Sequence, residues 1–287
     1  MRPTNFFSSF IAVACLVANA FPALADREVA RTAIMDSAAV MRPVQGPLQR
    51  WAAIRVPDSV AGKGSVALVV GINNYQNLPK LKNAVNDATA VADMLRAAGF
   101  DQVIVAHDPD DRALRATLGE FNAAAEGKDI ALIYFAGQGV RLKSKRLLFA
   151  TDVTLDQAKA GIALTLDDLQ AAVPRTARVK LIAIDACQDE LDADPKARTE
   201  PMLPVTENAP IFYSSTPYEL AQDGEGTLSP FATAFVRHFA APGQGIRDAA
   251  NRVRDDVVDA TKGAQTPVLY GYVERDLQLL PSGQAVR

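Results

Sequence analysis

Short, continuously apolar segments alternate with amphipathic segments along most of the chain. The segment 66–71 contains no polar side chain, which is typical of a strand buried on both faces of a sheet. From residue 84 to residue 98, apolar residues recur at helical spacing, and Gly99 then provides a helix-ending residue. By the same criteria the pattern predicts strands at 103–105, 130–135, 147–149, 179–184 and 210–214, helices at 112–125, 165–173, 230–240 and 246–261, and a last extended stretch that ends at 277–280.

The order of these elements predicts an α/β fold. Strands and helices alternate, and the connections are long enough for right-handed crossovers. We therefore expect a mostly parallel sheet with helices on both faces, a three-layer sandwich. In such a sheet the functional site lies beyond the carboxyl ends of the strands. Two strand ends carry residues of interest, Gly137-Gln138-Gly139 after one strand and Asp185-Ala186-Cys187 after another.

The beginning of the chain has the pattern of a secretory signal peptide over residues 1–25. Arg2 is followed by a mostly apolar stretch at 6–21, and Ala23-Leu24-Ala25 forms an A-x-A cleavage site before Asp26. An uncleaved anchor is the alternative. We expect a secreted protein, periplasmic if the host is a Gram-negative bacterium.

Composition limits the remaining possibilities. The 287 residues are 49% hydrophobic, enough for one large α/β domain with extensions. A net charge of −3 argues against a general nucleic-acid binder. We predict an N-terminal extension at 26–62, one domain at 63–281 and a tail at 282–287. Phosphate-binding glycine loops and zinc-ligand spacings are absent from the sequence, so no cofactor and no metal are expected.

Removal of the predicted signal peptide leaves Cys187 as the only cysteine of the chain. A buried, unreactive thiol is one interpretation, because free cysteines are usually buried. A nucleophile is the other, and it needs a base or a cation to form its thiolate, with backbone donors for the oxyanion. Asp185 and Asp189 nearby would raise the pKa of the thiol. A strong basic partner is therefore required, and histidine is the usual one.

The chain offers two histidines for this role. His107 follows the predicted strand at 103–105, which places it at the carboxyl edge of the sheet but on a different strand from Cys187. His238 lies in the predicted helix at 230–240 beside Arg237, where a solvated or half-buried role is expected.

Five segments in a fixed order resemble a known family. They are VVGINNY at 69–75, LKNAVNDA at 81–88, YFAGQG at 134–139, DACQD at 185–189, and DGEG at 223–226 leading to SPF at 229–231. Each segment is weak alone. Together they make the stretch 65–280 similar to the caspase-like domain of bacterial members of the caspase and metacaspase superfamily of cysteine peptidases. The resemblance implies a caspase-like fold.

The resemblance also implies roles for individual residues. The family nucleophile matches Cys187, whereas the position of the histidine general base holds Gln138. Gly139 matches the glycine whose backbone amide helps to form the oxyanion hole. Members that cleave after Arg or Lys line the S1 pocket with acidic residues. Asp185 matches one of these acids and Asp87 the other. The 223–226 loop is expected to be a surface turn, although in the family it lies near the substrate cleft.

Glutamine at the base position predicts that efficient hydrolysis is lost. The Gln138 amide can hydrogen-bond to a thiol, but it cannot accept the thiol proton or protonate a leaving amine. Without a neighbouring base, Cys187 should keep a pKa near or above about 8.5, with at most a few per cent thiolate at neutral pH. General acid–base catalysis typically contributes about 10²–10⁴ in rate.

Three functions remain open. The favoured one is a secreted caspase-like pseudopeptidase that binds peptides or regulates a partner, with basic side chains in an acidic pocket. The first alternative is an active cysteine endopeptidase that cleaves after Arg or Lys with His107 as an unusual base. The second is a thiol redox or interaction protein, which requires an exposed and reactive Cys187. We expect peptide or protein ligands, no nucleic acid, and no membrane association after signal cleavage.

Overall fold

A computed structural model of the protein describes residues 64–142, 145–190, 209–216, 221–241, 243–273 and 278, and for 187–190 the backbone alone. The predicted signal peptide, the N-terminal extension at 26–62 and the tail at 282–287 lie outside these residues.

The described residues form eight strands and six helices. The strands are β1 (Ser65–Gly71), β2 (Gln102–His107), β3 (Ile130–Leu142), β4 (Lys145–Leu148), β5 (Leu164–Thr165), β6 (Val179–Glu190), β7 (Ile211–Tyr213) and β8 (Val268–Tyr270). The helices are α1 (Ala84–Ala97), α2 (Asp111–Ala125), α3 (Leu155–Lys159), α4 (Leu166–Ala172), α5 (Pro230–Phe239) and α6 (Ile246–Ala260).

The strands form one sheet in the order β2-β1-β3-β6-β7-β8. β2, β1, β3, β6 and β7 pair in parallel, whereas β8 runs antiparallel to β7. β4 and β5 extend the sheet beside the distal part of β3 with antiparallel pairing. The prediction of a mostly parallel α/β sheet is confirmed.

Side chains that alternate along the strands build a core on each face of the sheet. Val69 of β1 packs into the core that contains α1, α5 and α6, with Val91 and Phe235 as members. The next position, Val70, packs into the opposite core, where Phe121 of α2 is fully buried. Burial of one such side chain is worth roughly 1.5–3 kcal/mol. Helices on both faces complete the predicted three-layer sandwich.

Side-chain caps explain where several helices begin. Asp110 accepts a hydrogen bond from the Ala113 N–H at the start of α2, and Thr165 accepts one from the Asp168 N–H at the start of α4. Thr154 forms a capping box with Gln157 and begins α3, which the apolar pattern had not predicted because this helix has only one turn. Short β5 was missed for the same reason.

Close packing at the end of β1 sets the position of α1. A Cβ atom at Gly71 would lie 2.5 Å from the carbonyl oxygen of Ala84 and 2.6 Å from the Cβ of Ala88. Only glycine therefore lets the first turns of α1 approach the end of this strand so closely. As a result, the start of α1 lies over the carboxyl edge of the sheet.

β3 and β6 are longer than the sequence predicted. The apolar runs end at residues 135 and 184, but the strands continue to Leu142 and Glu190. Their parallel pairing runs without interruption from Ile130 opposite Val179 to Arg141 opposite Glu190. The expectation that the two site segments follow the strands is therefore wrong. Backbone pairing does not require apolar side chains, so the polar segments stay in the ladder.

The last predicted stretch is only partly described. Of residues 277–280 the structure describes Gln278, which forms an isolated antiparallel bridge with Gly245. Within the described part of the chain, no helix is long and apolar enough to cross a membrane.

Candidate active site

The register of two neighbouring strands brings the predicted dyad positions together. β3 and β6 pair in parallel, and Gln138 lies directly opposite Cys187. Adjacent strands in a sheet are about 4.8 Å apart. The two positions that the resemblance assigned to base and nucleophile therefore face each other across a single strand spacing. The side chain of Cys187 lies outside the described atoms.

Gln138 is buried and held by neutral groups. Its backbone N–H donates to the Tyr75 hydroxyl oxygen at 2.6 Å, and its side-chain Nε2 donates to the Pro79 carbonyl oxygen at 3.3 Å. Its own carbonyl accepts from the Phe149 N–H at 3.1 Å. Tyr75 also explains the preceding glycine, because a Cβ at Gly137 would lie 2.5 Å from its hydroxyl oxygen. These contacts fix the glutamine but give it no means to accept a proton.

The backbone of Gly139 faces the strand that carries Cys187. Successive N–H groups of a strand point to opposite sides, and the Gln138 N–H points away from β6, toward Tyr75. The Gly139 N–H therefore points toward β6, where Gln188 is its register partner. In a regular ladder this donor bonds to a strand carbonyl. Use of Gly139 as an oxyanion donor would require the ladder to open at this point.

His107 is too far from Cys187 to act as its base. It is the last residue of β2, and β1 and β3 lie between β2 and β6. Three strand spacings are about 14 Å. The His107 ring instead lies 3.3 Å from the Thr89 hydroxyl through Nε2. Direct proton transfer needs hydrogen-bond reach, so the alternative base assigned to His107 is wrong.

His238 is also excluded from a catalytic role. Its Nε2 lies 2.8 Å from an Asp256 carboxylate oxygen, which joins α5 to α6. The hydrogen bond from His238 is the main cause that lowers the pKa of Asp256. His238 is nine residues after Ser229 in α5, about 13 Å along the helix axis. This half-buried structural position matches the expectation from the sequence.

Asp87 and Asp185 meet in one pocket at the carboxyl edge of the sheet. Asp87 lies in the first turn of α1 and is 2% exposed, and Asp185 lies in β6 and is 7% exposed. Both line a narrow pocket together with Ser229. The Ser229 N–H donates to Asp87 Oδ1 at 2.8 Å, and its hydroxyl donates to Asp185 Oδ2 at 2.7 Å. One serine thus contacts both carboxylates.

Burial makes both carboxylates weaker acids. Desolvation raises the pKa of Asp87 to about 8, and repulsion by Asp185 adds to the effect. Desolvation likewise raises the pKa of Asp185 to about 6, against the opposing hydrogen bond from Ser229. Among the described residues, no lysine or arginine hydrogen-bonds to either acid. The pocket is therefore an acidic site without a described cation.

The 223–226 loop closes the pocket from the side of α1. The Asp223 carboxylate accepts hydrogen bonds from the backbone N–H groups of Lys82 and Asn83, at 2.7 and 3.0 Å. The Asn83 side chain donates in return to the carbonyls of Asp223 and Gly226. Asp223 also lines the pocket and raises the pKa of both other acids. The expectation of a simple surface turn is wrong, because these contacts bind the loop to the start of α1.

Two further site residues lie in the motifs described above, but the sequence assigned them no role. Tyr134 is fully buried and donates from its hydroxyl to Asp185 Oδ2 at 3.4 Å, while burial raises its own pKa well above the usual value. Ser229 begins α5 as its N-cap, followed by Pro230 at the first helical position. The Ser-Pro pair is a helix-start signal that predicts the cap, but it does not predict the contact with two acids.

Comparison with known proteins assigns the fold and the family. A family model described as the caspase domain matches residues 65–278. The chain belongs to the caspase family. The human mucosa-associated lymphoid tissue lymphoma translocation protein 1 is 23% identical over 158 residues, which are 55% of this chain and 19% of that protein. The chain thus spans about a fifth of the length of this relative.

Solved structures share the caspase-family fold. Caspase-1 from Spodoptera frugiperda superposes with a TM-score of 0.57 at 19% identity, over 83% of this chain and 97% of that one. A protein from Geobacter sulfurreducens superposes with a TM-score of 0.55 at 16% identity, over 76% of this chain and 98% of that one. At such identities the similarity establishes the architecture. Within the described residues of this caspase-family chain, no cluster of three or more His, Cys, Asp or Glu is arranged to hold a metal.

Proposed function

We propose that this caspase-family domain is a pseudopeptidase, which binds peptides or regulates a partner but does not hydrolyse efficiently. One observation carries the proposal. The residue that lies opposite Cys187 in the strand register is Gln138, and both described histidines are too distant to replace it. The domain thus retains the caspase-family fold and an acidic pocket, and its loss of activity follows from the missing base.

The chemistry of peptide hydrolysis explains the loss. The thiol must lose its proton before the sulfur attacks the scissile carbonyl carbon, and the departing amine must gain a proton when the carbon–nitrogen bond breaks. A histidine can perform both transfers, whereas the amide of Gln138 can perform neither. The N–H groups of Gln138 donate to a neutral hydroxyl and a neutral carbonyl oxygen, and neither acceptor can replace a histidine base.

The acidic pocket supports binding of a basic side chain. Asp87 and Asp185 are buried side by side, where a carboxylate pair without a counter-ion is unfavourable. A guanidinium or ammonium group would supply the missing charge, and a guanidinium can donate in parallel to two oxygens. The ligand chemistry that fits the pocket is therefore an arginine or lysine side chain of a peptide, rather than an acidic or apolar one.

Neither alternative function has comparable support. An active peptidase would need a base, and His107 lies about three strand spacings, or about 14 Å, from the Cys187 strand. A thiol redox or disulfide function depends on the exposure of the Cys187 side chain, which lies outside the described atoms.

Binding can be tested without catalysis. The native chain is expected to bind a short peptide with a central arginine. It should bind the same peptide with uncharged citrulline in place of arginine at least about 30-fold more weakly, because one member of a buried charge pair is then missing. Isothermal titration calorimetry at pH 7.5 measures both affinities. Asp185→Asn should abolish the preference, whereas Asp93→Asn, which removes an exposed carboxylate from α1, should keep it. Equal affinity for the two peptides would contradict the proposed pocket.

We also propose that the chain is secreted after cleavage between Ala25 and Asp26. The support is the sequence pattern of residues 1–25. Mass spectrometry of the protein expressed in a Gram-negative host should find a periplasmic chain that begins at Asp26. An uncleaved chain in the membrane fraction would favour the anchor instead.

A further inference from the structure

We propose that Ser229 is a positioning residue. It holds the carboxylates of Asp87 and Asp185 side by side, so that both can bind one basic side chain. The inference rests on the proposed function of the pocket and adds to it the residue that sets the geometry. Ser229 contacts one acid through its backbone and the other through its side chain, although it lies on neither α1 nor β6.

The hydrogen bonds of Ser229 leave its hydroxyl a single orientation. Its oxygen accepts the Ala232 N–H at 2.9 Å as the N-cap of α5, so its one proton points to Asp185 Oδ2 at 2.7 Å. Its N–H, which the helix leaves unpaired at this end, donates to Asp87 Oδ1. Ser229 thus engages one oxygen of each carboxylate. A guanidinium fork can then take the other oxygen of each.

The start of α5 holds Ser229 in a fixed position. Pro230 fixes the backbone at the first helical position, and Phe231 is completely buried against the sheet, with its ring 5.0 Å from that of Phe212 in β7. The hydroxyl of Ser229 is therefore held by a helix that cannot shift without disturbing the core. Loss of the hydroxyl removes one donor from Asp185 and the acceptor of the Ala232 N–H, while the buried Phe231 still holds the helix in place.

The pH dependence of cation binding can distinguish a positioning role of Ser229 from a role in stability alone. The Ser229 hydroxyl is the main hydrogen bond that lowers the pKa of Asp185, against desolvation and the negative charge of Asp223. The other ionisable groups that face Asp185 are Asp87 and Tyr134, and neither is a cation at any pH. Without the hydroxyl, Asp185 should take up a proton at higher pH and lose its attraction for a cation in the neutral range.

Agmatine, which carries a guanidinium group, is the probe for the test. Its affinity for the full chain is measured by calorimetry from pH 5.5 to pH 9 for three proteins. Ser229→Gly removes the hydroxyl and keeps the backbone donor and most of the capping preference. We expect it to bind about 10-fold more weakly at pH 7 and to approach native affinity at pH 9. Ser229→Thr retains both donors and should restore the native profile.

A matched control excludes a general effect of losing a helix cap. Thr165→Gly removes the N-cap hydroxyl of α4, on the opposite face of the sheet, and should leave the agmatine profile unchanged. An equal loss of affinity at every pH in Ser229→Gly, or no loss at all, would overturn the positioning role while the pocket itself stands. A native chain that binds no agmatine at any pH would overturn the proposed pocket and this inference together.

Discussion

Replacement of Gln138 by histidine is expected to give the chain measurable peptidase activity after arginine and lysine. The new imidazole would lie opposite Cys187 in the strand register, at the place from which a base can reach the thiol. The Pro79 carbonyl, which now accepts from the Gln138 amide, would accept from one ring N–H and fix the tautomer. Restored acid–base catalysis should raise the rate about 10²–10⁴-fold over the native chain.

The measurement is kcat/KM on peptide substrates with Arg, Lys or Asp before the scissile bond. Gln138→Ala is the matched control, because it removes the glutamine without adding a base, and it should stay at the native rate. Cys187→Ala in the histidine background should abolish the gain. If Gln138→His and Gln138→Ala hydrolyse equally slowly, more than the base has been lost. The next variant to test would then be one that opens the unbroken strand ladder around Gly139.

The folded domain is expected to lose stability as the pH rises from 5 to 8. Burial raises the pKa of Asp87 in the folded chain to about 8, from the usual value of 3.8. Between these values the folded state binds more protons than the unfolded state, so stability falls with increasing pH. The stabilising contribution is complete below about pH 4 and is lost as the pH passes through 8. We expect a loss on the order of 3 kcal/mol over the interval.

Urea unfolding of the native chain and of Asp87→Asn at pH 5, 6.5 and 8 checks this prediction. The asparagine variant does not ionise, so its stability should vary much less with pH and exceed that of the native chain at pH 8. Asp93→Asn, on the exposed side of the same helix, should follow the native curve. A native chain that is most stable at pH 8 would show that the buried pair is ionised without penalty, contrary to the electrostatics of the pocket.

Much of the fold follows from local pattern. The runs 66–71 and 103–105 and the amphipathic segments 84–98 and 112–125 became β1, β2, α1 and α2 with small shifts at their ends. These elements are determined by burial, which apolar periodicity records directly. The apolar pattern did not predict the parts of strands that are held by something other than burial. β3 and β6 continue through polar residues because backbone pairing holds them.

The site was only partly predictable for a related reason. Cys187, Gln138, Asp87 and Asp185 belong to short motifs, so a resemblance could identify them. Ser229 belongs to the SPF segment of the resemblance, but its contact with the two acids could not be found in this way, because Ser229 lies 142 residues after Asp87 in the sequence. No local pattern reports a contact over such a separation.

The loss of hydrolysis is measured by comparing the native chain with Cys187→Ala on the same arginine peptide. A pseudopeptidase should give equal rates, because Gln138, the described residue opposite the thiol, cannot take its proton and both described histidines are out of reach. A native rate clearly above that of Cys187→Ala, with turnover that continues after the first cleavage, would contradict the proposed loss of hydrolysis. Such a result would mean that the domain is a working peptidase with a base other than His107 or His238.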